Sequence, residues 1–277
     1  MSNTKSTKKT KKNYLYNKFK KTQKLRLKHN QSNQSNQSNQ SNQSNQSNQS
    51  NKNHHNIQSI SDIKHVYYIN LDSRPDREKQ VKKELHKIGF KNPKRFSAIT
   101  HDNGALGCSM SHLKLMETAK QNNWDHILIV EDDILFLKPN IFKKQMNSFL
   151  QKHTKFDVLL LGGNNDGPFK QIDDTCVKIS RCQTTTGYLV KNHYFDTLIR
   201  NYRNGIAKLL KEPQNRSKFT IDAYWFTLQS KHDWYLLIPL TVTQRKNYSN
   251  IQKINVDYNN YMLDLKYKPK NYKHKKV

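Results

Sequence analysis

The apolar run Ile127–Val130, opened by His126 and closed by Glu131-Asp132-Asp133, constrains the fold more than any other stretch of the chain. A short continuous apolar run is the mark of a strand buried on both faces, in a mostly parallel sheet covered by helices. It falls far short of the ~20 apolar residues a membrane span needs, and the three acids break the wider stretch to Leu137. Those acids repel one another, so they must be solvated, paired or bound to a cation. In open α/β sheets ligands bind beyond the carboxyl ends of the strands. The triplet falls at such an end.

The surrounding sequence alternates in the same way. His65–Leu71 is β-branched and aromatic, a strand signal. Pro75 then opens a helix with Asp76 and Glu78 in its first turn, where the macrodipole favours acid, and Gly89 stops it. A strand near Lys94–Ile99 leads to a helix from about Leu106 to Asn122. A helix starting at Pro139 precedes a second buried strand, Asp157–Leu161. Further strands are expected near Val177–Ser180, Gly187–Val190 and Trp234–Ile238, with helices near His193–Tyr202 and Ile221–Ser230. This alternation argues for an α/β domain, a mostly parallel sheet flanked by helices.

Little of the rest has the composition of a core. Asn30 to Asn51 is a Gln-Ser-Asn triplet repeat without an apolar residue, too polar to offset its ordering entropy. The chain therefore divides into a basic segment at 1–29, a repeat linker at 30–61, one domain at 62–265 and a basic tail at 266–277. The formal charge of +28 divides with it: residues 1–61 hold 12 basic and no acidic residues, and the tail holds six lysines. Basic flanks of this kind suit nucleic acid or acidic surfaces. Lys, Asn and Ile are also over-used throughout, a bias that raises the charge without any binding role. Three cysteines, Cys108, Cys176 and Cys182, make no disulfide framework and fit a reducing compartment. With no secretory signal and no membrane segment, the expectation is a soluble intracellular protein.

Several stretches carry candidate chemistry. The three carboxylates Glu131-Asp132-Asp133 suit Mg²⁺ or Mn²⁺ held together with a substrate's phosphates, although a solvated loop start is an equally open reading. Asn70 to Arg77 forms the turn after the first strand, the place where a nucleotide-binding sheet holds base or ribose, with arginine suited to phosphate. An ordinary capped turn reads the same way. Cys108 and His112 lie one turn apart, half of a zinc site without a second pair. His112 either hydrogen-bonds a ligand at the helix start or is a plain buried histidine. Asp222 caps a helix or reaches the pocket of the triplet.

Taken in order, Ile69–Arg77, Arg95–Ile99, Gly104–His112, Ile127–Asp133, Asp157–Gly162, Thr186–Val190, Ile221-Asp222, and Gln244 followed by Ser249-Asn250-Ile251 resemble glycosyltransferase family 25. That family comprises the lipopolysaccharide and procollagen galactosyltransferases. The resemblance implies a GT-A-type nucleotide-sugar-binding fold, a UDP-sugar donor, a glycan or hydroxylated protein acceptor, and inversion at the anomeric carbon. It implies Mn²⁺ (or Mg²⁺) at Glu131 and Asp133, donor contacts from Asn70, Asp72, Arg77 and His112, and Asp222 as catalytic base or second metal ligand. The chain departs from the family at Thr100, Ala105 and Asn250, where acids or an amide are usual. The alternative is a family member without activity that binds nucleic acid or acidic surfaces through its flanks. A two-metal phosphoesterase is disfavoured, since the His/Asp cluster of such a site is missing.

Overall fold

The structure, a computed structural model, describes residues 56–249, 251–252 and 254–266. The basic segment 1–29, the repeat, Asn250 and the tail from residue 267 lie outside the described residues.

Eight strands form one sheet: β1 Val66–Asn70, β2 Lys94–Ser97, β3 His126–Glu131, β4 Val158–Leu160, β5 Phe169–Gln171, β6 Cys176–Ile179, β7 Gly187–Lys191 and β8 Trp234–Leu237. Their spatial order is β2-β1-β3-β7-β4-β8-β6-β5. β1 runs parallel to β2 and β3, and β4 parallel to β8. β7 is antiparallel to both β3 and β4, and β6 is antiparallel to both β8 and β5. The sheet is thus mixed, where a mostly parallel one was expected. An apolar run reports burial on both faces, and helices supply that burial whichever way the strand runs.

Four long helices cover the sheet: α1 Pro75–Ile88, α2 Gly104–Gln121, α3 Pro139–Lys152 and α4 Phe195–Lys211. Side chains alternate across a strand, so β3 feeds two separate cores. Ile127 and Ile129 join α2 and α4 on one face, whereas Leu128 and Val130 join α1 and α3 on the other. The expected stop of α1 is present: Gly89 takes φ 93, which glycine adopts without steric cost, and its N–H bonds the Leu85 and His86 carbonyls.

Three boundaries differ from expectation. α4 runs to Lys211 because Ile206, Leu209 and Leu210 extend its buried stripe past Tyr202. The helix expected at Ile221–Ser230 is two short ones, Ile221–Tyr224 and Phe226–Gln229, broken at the fully buried Trp225. Ile57 and Ile60, expected in the linker, are buried in the α1–α3 core, so the packed body begins before Asp62. Three small ladders complete the fold: Ile134–Phe136 with Val242–Gln244, Asn164–Asn165 with Cys182–Gln183, and Asn247–Ser249 with Ile254–Val256. Among the described residues no helix is long and apolar enough to cross a membrane.

Candidate active site

Chain direction explains which residues meet. β1 and β3 are parallel and end together, and β7 returns antiparallel beside β3, so Thr184–Thr186 at its start face the end of β3. The Glu131 N–H bonds the Thr186 carbonyl at 3.0 Å. α2 begins against the same edge: a Cβ on Gly107 would lie 2.5 Å from the Ile99 carbonyl oxygen, a distance only glycine permits. Around these ends opens a cavity of about 680 Å³, walled also by Arg216, Asp222, Gln244, Arg245 and Tyr258.

Glu131 is fully engaged by protein. Its Oε1 accepts from Thr185 Oγ1 at 2.6 Å and Cys108 Sγ at 3.7 Å, and its Oε2 accepts from Gln244 Nε2 at 3.0 Å. His112 Nε2 lies 3.5 Å from Oε1 but is not aligned for a hydrogen bond. Burial pushes the Glu131 carboxyl up, yet His112, Thr185 and Cys108 together outweigh it and hold the group below the ordinary carboxylate value. Behind it, His112 Nδ1 meets Tyr188 Oη at 2.8 Å, and Tyr202 Oη donates to Tyr188 Oη at 3.3 Å. His112 has no exposed surface, so it braces Glu131 from within. The Cys108, His112 and Glu131 donor atoms are close enough to share a cation, but Glu131 already has a donor on each oxygen.

Asp132 turns inward. Its Oδ2 accepts from Asn70 Nδ2 at 2.8 Å and its Oδ1 from Arg77 Nη1 at 3.0 Å. Arg77 also donates to the Tyr248 carbonyl at 2.9 Å, tying the first turn to the Asn247–Ser249 ladder. Asn70 is 1% exposed and also accepts from Arg95 Nε at 3.0 Å, so it organises the turn from below. Asp72 points to solvent, where Arg95 and Ser97 donate to it at 2.6 and 2.7 Å. Neither Asn70 nor Asp72 lines the cavity.

Asp133 is the opposite of Glu131. Its Oδ1 is buried and has no hydrogen-bond partner, and Arg77 Nη1 stands 3.7 Å from its Oδ2. Burial, then repulsion from Glu131 and Asp132, raises its pKa to about 8. Asp133 lines the cavity, and a buried carboxylate oxygen left without a protein partner is free to meet a proton, a water or a cation. Of the expected metal pair, then, Asp133 keeps an oxygen without a protein partner, whereas both Glu131 oxygens already accept hydrogen bonds. Asp222 Oδ2 accepts from the Thr184 N–H at 3.3 Å, and burial raises its pKa. Thr184 holds φ 77, a conformation strained for a β-branched residue and tolerated where the surroundings over-determine it.

Arg77, His112, Glu131, Asp133 and Asp222 therefore border one cavity. Thr184, Thr185, Arg216, Arg245 and Tyr258 were not anticipated. Nothing in a Thr-Thr-Thr-Gly stretch reveals that its strand runs back along β3. Thr100 and Ala105, two departures from the family pattern, both line the cavity.

The family model described as glycosyltransferase family 25 (LPS biosynthesis protein) matches residues 102–224. No curated protein matches the chain. Among solved structures it is similar to one described as mannose-1-phosphate geranyltransferase from Thermus thermophilus, at 6% identity and TM-score 0.37, covering 62% of this chain and 58% of that one. It is also similar to the nucleoside-diphosphate-sugar pyrophosphorylase from Vibrio cholerae, at 15% identity and TM-score 0.31, covering 64% of this chain and 75% of that one. The chain thus spans 58% of the length of the first of these, and likenesses this loose carry no weight for the fold.

Proposed function

We propose, from the premise that this chain belongs to glycosyltransferase family 25 over residues 102–224 and is a glycosyltransferase, that it moves a hexose from a UDP-sugar to an acceptor hydroxyl. Galactose is the favoured sugar, a glycan or hydroxylated protein the acceptor, and inversion the stereochemical course. The observation that carries this reading is the Asp133 carboxylate, one of whose oxygens has no protein partner, bordering with Asp222 and Arg245 one cavity at the carboxyl ends of β1 and β3.

Arg245 lines the cavity with its Nη2 3.5 Å from Glu84 Oε1, and its positive charge favours a diphosphate there. Arg77, already tied to Asp132 and Tyr248, holds the acidic turn in place. A divalent cation at Asp133, Mn²⁺ or Mg²⁺, would supply positive charge where negative charge grows on the leaving diphosphate. Asp222 takes the proton of the acceptor hydroxyl as that oxygen bonds the anomeric carbon and the bond to the diphosphate breaks. Its raised pKa suits the task, because a base works best with a pKa near the working pH. Glu131, braced by its own donors, fixes the end of β3.

The test is thermal unfolding of the full chain against a panel of nucleotide sugars, with Mn²⁺ or EDTA, for wild type and Asp133→Asn. A ligand at 100 times its Kd stabilises by about 2.7 kcal/mol. A metal-dependent shift with one UDP-sugar, absent in the variant, supports the proposal and names the sugar. No shift with any UDP-sugar refutes it.

A further inference from the structure

At the far edge of the sheet a second cluster has no part in the cavity. His153 ends α3, and Asp173 and Cys176 flank the turn between β5 and β6. His153 Nε2 lies 2.9 Å from Asp173 Oδ2 and 3.7 Å from Cys176 Sγ. All three donor atoms fall within 4.8 Å of one another.

Two commoner readings are open to such a trio. One is a Cys-His-Asp relay. That requires thiol and carboxylate on opposite ring nitrogens, and here both approach Nε2. Burial also pushes the Cys176 thiol up to about 12, so it is no nucleophile at neutral pH. The other is a simple His–Asp hydrogen bond with a thiol nearby. That leaves unexplained why the thiol faces the same point as the carboxylate.

Convergence on one point is what a metal asks for. With zinc bond lengths of about 2.3 Å to sulfur and 2.0–2.1 Å to nitrogen, a tetrahedral site sets S···N near ~3.6 Å. The 3.7 Å between Cys176 and His153 meets that edge as it stands. The carboxylate is pre-aimed: Asp173 Oδ1 accepts from the Thr175 N–H at 2.7 Å and Thr175 Oγ1 at 2.6 Å, which presents Oδ2 to the ring. Such outer contacts orient metal ligands. The His153 ring is packed by Phe149 and Tyr235, centroids 4.8 and 5.9 Å away. Charge balances as well, since a thiolate, a carboxylate and a neutral imidazole neutralise a dication. The neighbouring Asp174 pairs with Lys152 at 2.5 Å. Side chains of His153 and Asp173 are 18% and 27% exposed, which leaves water to supply a fourth ligand.

We infer that His153, Asp173 and Cys176 form a binding site for a borderline-soft divalent cation, zinc foremost, that pins the β5–β6 hairpin to the end of α3. The donor set is wrong for Mn²⁺ or Mg²⁺, which prefer all-oxygen sites. The site is therefore independent of the transferase reading, and neither stands or falls with the other.

Cobalt(II) tests it, because a thiolate–cobalt bond gives a near-ultraviolet charge-transfer band that oxygen ligands do not. The full chain titrated with Co²⁺ is expected to develop that band to saturation at one equivalent, and Zn²⁺ to bleach it. Cys108→Ser keeps the band, and Cys176→Ser and His153→Gln each lose it. Circular dichroism checks that the buried Cys176→Ser variant folds; if it does not, His153→Gln, at a partly exposed position, carries the test. No band in the wild type, or a band that survives loss of Cys176 or His153, overturns the inference.

Discussion

Glu131 and Asp133 stand two residues apart at the end of β3, yet their surroundings differ in kind. Around Glu131 the protein supplies Thr185, Cys108 and Gln244 as donors, with Tyr188 and His112 behind them. Around Asp133 it supplies a cavity and leaves one carboxylate oxygen bare. The first is a site finished by folding, and the second awaits something that folding does not provide. A buried acid oxygen without a partner calls for an explanation, and functional sites are where such groups cluster. The contrast separates an acid held by the protein from the acid that the proposed mechanism puts to use.

Substitutions can break this contrast, and the largest effect is expected on the active side. Asp222→Asn removes the proton acceptor of the proposed mechanism and should lower the transfer rate by about 10²–10⁴-fold. Donor-induced stabilisation should survive; its loss together with activity would make Asp222 a binding residue. Asp133→Asn should cost about 10²–10³-fold in rate, as when one charge-stabilising group is removed, without lowering the melting temperature. Arg77→Ala strands the buried Asp132 and should destabilise by about 3–5 kcal/mol in denaturant unfolding. Glu131→Gln keeps the shape but turns an amide NH₂ towards donors, and should cost about 1–3 kcal/mol. Equal stability losses at 131 and 133 would erase the distinction.

Acidity sharpens it at the smallest scale. The folded pKa of Asp133, about 8, stands above the ordinary 3.8. Between those values the folded state binds more protons than the unfolded chain, so this group's contribution to stability falls as pH rises through the window. Glu131 is held below its ordinary value, so its contribution is present at neutral pH and lost on acidification. Stability curves from pH 4 to 9 should lose the first slope in Asp133→Asn and only narrow it in Glu131→Gln, which removes one repelling charge and leaves the burial of Asp133 in place. A cation bound by Asp133 displaces its proton, so affinity for Mn²⁺ should climb towards pH 8.

Features written in short stretches were legible in the sequence. The Ile127–Val130 run marks β3, the triplet falls at its end, and Pro75 and Gly89 bound α1. The side chains that complete the site come from far along the chain. Thr185 and Gln244 lie 54 and 113 positions from the carboxylate they hold, and no local pattern encodes that. Strand direction was hidden for the same reason, and with it the approach of Thr184 to Asp222. Asp72 failed differently: a turn acid looks alike in sequence whether it faces a cavity or, as here, Arg95 and Ser97. Ile57 and Ile60 were masked by a polar stretch whose two apolar residues suffice to anchor it.

The 113-residue separation between Glu131 and Gln244 also sets an order of events in time. At a synthesis rate of about 5–20 residues per second, Gln244 follows Glu131 out of the ribosome by roughly ten seconds. Through that interval β1, β3 and α2 can associate, but the Glu131 carboxylate lacks its Oε2 donor and Asp133 lacks the backbone of Arg245, whose N–H bonds its carbonyl at 2.7 Å. Contacts of such long sequence separation form late. A chain ending before the Val242–Gln244 strand therefore lacks both contacts on its acidic loop, and the donor site proposed above is complete only with the final third of the domain.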